Sequence, residues 1–132
     1  LFSTFGGNTV ACAAGNAVLD VIEREDLIEN GRVVGKYLRD QLRELAQSRP
    51  LIGDVRGFGM LTGVEFVTDR EARTPATAET THLLELMRQH HVLVGNEGRD
   101  LNILKLRPPL VFRHEHADLL VNALESSLEQ LA

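Results

Sequence analysis

The sequence predicts an α+β domain in which helices cover a small, mostly antiparallel sheet. Helical patterns and β-branched runs follow one another in the order helix, helix, two strands, helix, two strands, helix, which suits a layered sandwich. Glycines punctuate the β-branched runs, as turns and bulges require. The 132 residues, 43% hydrophobic and 25% charged, suffice for one domain with a core. There is no internal repeat or low-complexity stretch.

The first helix runs from Asn8, a residue able to cap it, to about Glu25, with Ala14, Ala17, Val18, Val21 and Ile22 at helical spacing. Cys12, the single cysteine, lies among alanines at that spacing and reads as a small buried side chain with no disulfide partner. Asp26 is placed to cap a second helix, which meets the first at a bend. That helix buries Val34, Leu38, Leu42 and Leu45, turns Arg39, Asp40, Arg43 and Glu44 to water, and ends by Pro50. Ile52 to Arg56 and Met60 to Thr68 read as strands with tight turns or bulges at Gly53, Gly57, Gly59 and Gly63. A loop, "TDREARTPA", leads to a third helix from about Thr77, with Leu83, Leu86 and Met87 on one face. "HVLVGNEGRDLNILKLR" reads as a short strand, a glycine-rich turn and another strand, which Pro108 and Pro109 stop. The last helix, Glu115 to about Leu131, buries Leu120, Val121, Leu124, Leu128 and Leu131.

A formal charge of −5 without a basic stripe argues against nucleic acid as a partner. No run approaches the roughly 18 apolar residues of a membrane span, and no basic-then-apolar leader opens the chain. A cytoplasmic protein with no membrane partner is expected.

Ser3 to Asn8 combines two hydroxyls, two glycines and a helix N-terminus, a setting that favours an anion such as phosphate and equally describes an ordinary helix entry. "RGFGMLTG" has neither the dinucleotide-binding glycine spacing nor the Lys-Ser/Thr ending of a phosphate loop, so its glycines belong to strand bulges. His114 and His116 lack nearby cysteine ligands and read as solvated; no metal site is expected. His90 and His91 read as the exposed end of a helix. Lys36 and Lys105 are the only lysines, which limits any amine nucleophile to these two. Lys36 lies among charged residues and reads as solvated. Lys105 and Arg107, two apart on a strand, share a face. They are ligand-facing cations or sheet-edge ones.

Three stretches, "STFGGNTVACAAGNAVLDVIE", "IGDVRGFGMLTGVEF" and "LRPPLVFRHEHADLLVNALESSLEQL", together resemble the class III aminotransferases, pyridoxal-phosphate enzymes of the aspartate-aminotransferase fold, fold type I. In that family "TFGGNP" enters a small-residue helix, "RGxGLMxGVE" opens the small domain's sheet, and a positively charged strand ending in "PPL" precedes the final helix. The resemblance implies that residues 1–25 are a cofactor loop and interdomain helix, and that 26–132 are the small C-terminal α+β domain. It implies pyridoxal 5'-phosphate as cofactor, with Thr4 binding the cofactor phosphate of a homodimer partner, Ser3 and Phe5 beside it, and Gly6, Gly7 and Asn8 as the supporting turn. Thr9 replaces the family's proline at the first helical turn, where proline is favoured but not required.

Lys105 stands where ornithine- and acetylornithine-type members carry an arginine that pairs with a substrate α-carboxylate. With "RTPATAETTHLL" and "NILKLRPPLVF", this resembles the ethanolamine-phosphate phospho-lyase subgroup, so Lys105 and Arg107 are implied to bind the substrate's carboxylate or phosphate. Neither lysine occupies the family's cofactor-lysine motif. The resemblance therefore implies an upstream large domain that carries the lysine, and a chain that by itself supplies no catalytic residue and is inactive.

Three functions follow as expectations. The intact protein is a transaminase moving an amino group from an amine or amino acid to a 2-oxo acid, a lyase acting on a phosphorylated amine, or a non-catalytic small-molecule sensor or interaction domain. The isolated chain, with the small-residue face of its first helix unpartnered, should self-associate or keep that helix mobile. Sedimentation combined with amide exchange checks this; a rigid, monodisperse monomer would overturn it.

Overall fold

The computed structural model describes residues 6–131. Helix α1 (Thr9–Arg24) starts where the cap requires, the Asn8 side-chain oxygen accepting from the amides of Val10 at 3.1 Å and Ala11 at 3.0 Å. Its apolar side is uncovered. No α1 residue is buried, Val21 and Ile22 are half-buried, and Cys12 is exposed rather than buried as expected. The physical reason is that α1 packs chiefly on α2, so among the described residues nothing lies over its alanine stripe.

The bend before α2 (Leu27–Ser48) is real, but Asp26 makes it with its backbone rather than its side chain. Asp26 is left-handed, with φ 48° and ψ 42°, a conformation aspartate tolerates better than most residues. Its carboxylate makes no cap, while its carbonyl accepts from the Asn30 amide at 3.0 Å. Val34, Leu38, Leu42 and Leu45 are buried as the periodicity predicts.

Arg39 departs from the pattern: it is buried where a water-facing position was expected. Its guanidinium donates to the Gly59 carbonyl at 2.6 Å and the Thr62 hydroxyl at 3.4 Å, partners that replace the water it gives up. Desolvation, and then the neighbouring charge of Arg43, lower its pKa. Beyond the end of α2, Arg70 donates to the carbonyls of Ala46 (2.5 Å), Ile52 (2.8 Å), Pro50 (3.0 Å) and Arg49 (3.2 Å). A cation thus satisfies the Ala46 carbonyl, left open in the last helical turn, and three carbonyls of the chain that follows.

Strands β1 (Ile52–Phe58), β2 (Leu61–Asp69), β3 (Thr74–Pro75), β4 (Gly95–Glu97) and β5 (Ile103–Leu106) make an antiparallel sheet in the order β1-β2-β5-β4, with β3 pairing the end of β2. The register shifts between Ile52 and Asp54, the bulge expected at Gly53. Two corrections concern the strands. Thr74 and Pro75 pair inside the stretch read as a loop. The short strand expected at the start of "HVLVGNEGRDLNILKLR" pairs at Gly95–Glu97, while 92–94 stay unpaired after His91, left-handed at φ 62°, ends helix α3 (Thr77–Gln89).

Helix α4 (His114–Leu131) begins one residue earlier than expected and buries Leu120, Val121, Leu124 and Leu128, with Leu131 half-buried. Alternation places Val64, Phe66, Leu104 and Leu106 on the helix-covered face of the sheet, in one core with Leu38, Leu42, Leu83, Met87 and Leu124. Each fully buried side chain of this kind contributes roughly 1.5–3 kcal/mol. No helix among the described residues is long and apolar enough to cross a membrane.

Helix α2 comes tightly against the β1–β2 turn, where a Cβ added at Gly35 would lie 1.8 Å from the Gly59 carbonyl oxygen. Gly35→Ala should therefore destabilise the fold by about 3 kcal/mol, as overpacking does. Gly15→Ala, with open space around it, should stabilise α1 slightly. Urea unfolding of both variants checks the contrast.

Candidate functional site

A cavity of about 400 Å³ opens at the β4–β5 end of the sheet. One wall is His91 to Val94, the second Lys105 to Pro109 with Phe112, and the third the start of α4, through His116, Leu119 and Leu120. The end of a short strand, a proline stop and a helix start converge here. Leu93, 85% exposed, and Leu119, 65% exposed, are large apolar groups at its mouth.

Lys105 and Arg107 line this cavity together. Lys105 lies on β5 opposite two glycines, Gly63 of β2 and Gly95 of β4, so no cross-strand side chain flanks it in register. Its ammonium donates to Glu97 Oε1 at 2.8 Å. That hydrogen bond, then the charge of Lys105, and to a smaller extent that of Arg107, hold the Glu97 carboxyl below the usual glutamate range. Arg107 follows the last residue of β5 and is exposed.

Glu97, which sequence reasoning passed over, and His116, which it read only as solvated, shape the same site. Glu97 is readable in principle: counting outward from the turn at 98–102 of an antiparallel hairpin places it diagonally across from Lys105. His116 accepts from the Arg113 amide through Nδ1 at 3.1 Å and tilts against the Phe112 ring at 5.3 Å. It works as a side chain in the first turn reaching back to the amide before the helix. His114 instead meets Tyr37 edge-on at 4.6 Å, and Tyr37 donates to Asp118 at 2.6 Å. The two histidines serve different partners, and among the described residues no group of three or more His, Cys, Asp and Glu is placed to hold a metal.

Ser3, Thr4 and Phe5, the expected cofactor-phosphate residues, lie outside the described residues. At the described edge of that loop, Asn8 already occupies the amides of Val10 and Ala11, so the start of α1 does not offer those two donors to an anion. Lys36 pairs with Asp40 on the exposed side of α2, away from the cavity lining.

Comparison with known proteins matches residues 1–128 to the model of the family described as aminotransferase class-III. A mitochondrial alanine–glyoxylate aminotransferase 2 homolog of Arabidopsis thaliana is 48% identical over 98% of this chain, which spans 27% of that relative. A phospholyase from Arthrobacter, solved in complex with phosphoethanolamine, is 45% identical and superposes with a TM-score of 0.94 over the whole chain and 31% of its own. A PLP-bound amine transaminase from an uncultivated Pseudomonas species is 34% identical, with a TM-score of 0.88 over the whole chain and 30% of its own.

Since the pKa of Glu97 is depressed, its ion pair with Lys105 is present at neutral pH and is lost as pH falls through that depressed value. A carboxyl-detected NMR titration should find Glu97 titrating below an ordinary glutamate in the native sequence. In Lys105→Ala it should move back up.

Proposed function

Because this chain belongs to the class III aminotransferases, we propose that the intact protein is a pyridoxal-phosphate enzyme that moves an amino group from a primary amine or amino acid to a 2-oxo acid. The observation that carries this reading is the pair Lys105 and Arg107 on one wall of a cavity whose remaining lining is largely apolar. The family, together with the PLP-bound neighbour, implies the cofactor. When bound, pyridoxal phosphate supplies the electron sink that lets a bond to the amino-bearing carbon break.

This chain's own part is to hold the substrate. The planar guanidinium of Arg107 matches two oxygens of a carboxylate or phosphate, whereas the Lys105 ammonium is a point charge indifferent to their geometry. Glu97 keeps Lys105 oriented and offsets part of its charge, which an arriving anion takes over. Leu93, Phe112 and Leu119 keep water from the rest of the substrate. Neither Lys36 nor Lys105 stands in the family's cofactor-lysine motif, which supports a reacting lysine on a large domain outside this chain. In this reading Thr4 completes the cofactor-phosphate site of a homodimer partner.

A second reading, a lyase acting on a phosphorylated amine, is favoured by a specific observation. Lys105 replaces a fork-shaped carboxylate partner with a point charge, and the Arthrobacter phospholyase solved with phosphoethanolamine matches the whole chain. Product analysis of the full-length protein separates the two. Amino transfer that depends on a 2-oxo acid supports the transaminase. Release of phosphate without any acceptor overturns it in favour of the lyase, and turnover of neither kind leaves a binding module. In either enzyme, Arg107→Ala should raise KM for the anionic substrate about tenfold to a hundredfold, the cost of one charge-assisted contact.

A further inference from the structure

We propose, on the footing of the substrate site above, that Asn30 is a positioning residue: its carboxamide fixes the pocket wall that begins at Arg107. Residues 107–113 run from the end of β5 to the start of α4 without regular structure. They lie between the substrate cavity and a second hollow of about 650 Å³ lined by Leu27, Asn30, Val111 and Arg113. A segment flanked by open space on two sides has few contacts to hold it, chiefly Phe112 against the core. Within it, the Phe112 amide donates to Pro109 and the Arg113 amide to His116.

The grip from outside comes from the first turn of α2. The Asn30 carboxamide nitrogen donates to the Leu110 carbonyl at 2.6 Å and to the Phe112 carbonyl at 3.0 Å, thereby spending both of its hydrogens on one loop. The next residue, Gly31, leaves room for the same loop: a Cβ there would come 3.3 Å from the Leu110 side chain. One side chain thus holds alternate carbonyls on either side of Val111, and with them the direction in which the chain leaves Pro108 and Pro109. Aspartate in place of Asn30 keeps the shape but aims acceptor oxygens at two carbonyls.

The test uses the full-length, cofactor-loaded enzyme and whichever anionic substrate the product analysis finds. Asn30→Ala and Asn30→Asp should each raise its KM about tenfold, with kcat within about twofold and with cofactor absorbance and Tm near those of the parent, because binding alone is weakened. Asn30→Gln, which keeps the donor, should recover most of the loss. Asn30→Asp decides the matter if Asn30→Ala does not load cofactor. Unchanged KM in a loaded Asn30 variant, while Arg107→Ala raises it, overturns the role of Asn30 alone. Parallel losses of Tm, cofactor and kcat, unrelieved by Asn30→Gln, mean a merely structural residue and also overturn it. If Arg107→Ala itself leaves KM unchanged, the substrate site fails and the role of Asn30 falls with it.

Discussion

The approach of α2 to the β1–β2 turn is the constraint on which the remaining arrangement depends. Gly35 lets the Gly59 carbonyl come against the helix, and Arg39, one turn on, donates to that same oxygen. A side chain at Gly35 would push the helix off the sheet. With α2 seated there, its other positions reach their partners: Arg43 donates to the Val55 carbonyl, Tyr37 to Asp118 of α4, and Asn30 to the loop after β5. One helix therefore relates the hairpin, the last helix and the cavity wall to each other.

The sheet is one-sided, and this divides its labour. Its covered face holds Val64, Phe66, Leu104 and Leu106 in the core. Its open face carries Arg56, which donates to Asp54 at 2.7 Å and Glu65 at 2.5 Å, and Lys105 with Glu97. Ion pairs this exposed add little to stability; what they do is orient long side chains. Around Lys105 the orientation is left adjustable, because Gly63 and Gly95 put no side chain beside it. A cation with one carboxylate partner and empty neighbouring positions is suited to exchange that partner for a substrate anion.

α1 shows the opposite condition. It is well capped and regularly helical, yet it contributes nothing to this core, and its apolar side faces outward among the described residues. Helix formation and burial are separate outcomes: the first needs only local spacing and a cap, the second needs a partner. The chain's coverage of only 27–31% of the relatives compared leaves ample chain in them for such a partner.

By itself the sequence determined what depends on neighbours within a few residues. Periodicity placed α2, α3 and α4 to within a residue or two, Asn8 was readable as a cap, the prolines as a stop and Gly53 as a bulge. The nearness of Lys105 and Arg107 was visible in their spacing, although Arg107 lies past the end of β5, and the family was visible through collinear motifs. Tertiary structure decided what depends on residues far apart in the chain. The burial of Arg39 requires a carbonyl 20 residues away, and the grip of Asn30 requires carbonyls 80 and 82 residues away. Helical spacing records which side of a helix a residue occupies, but not which backbone will arrive there. A charged side chain is buried, and a loop is fixed, only once that backbone supplies the acceptor.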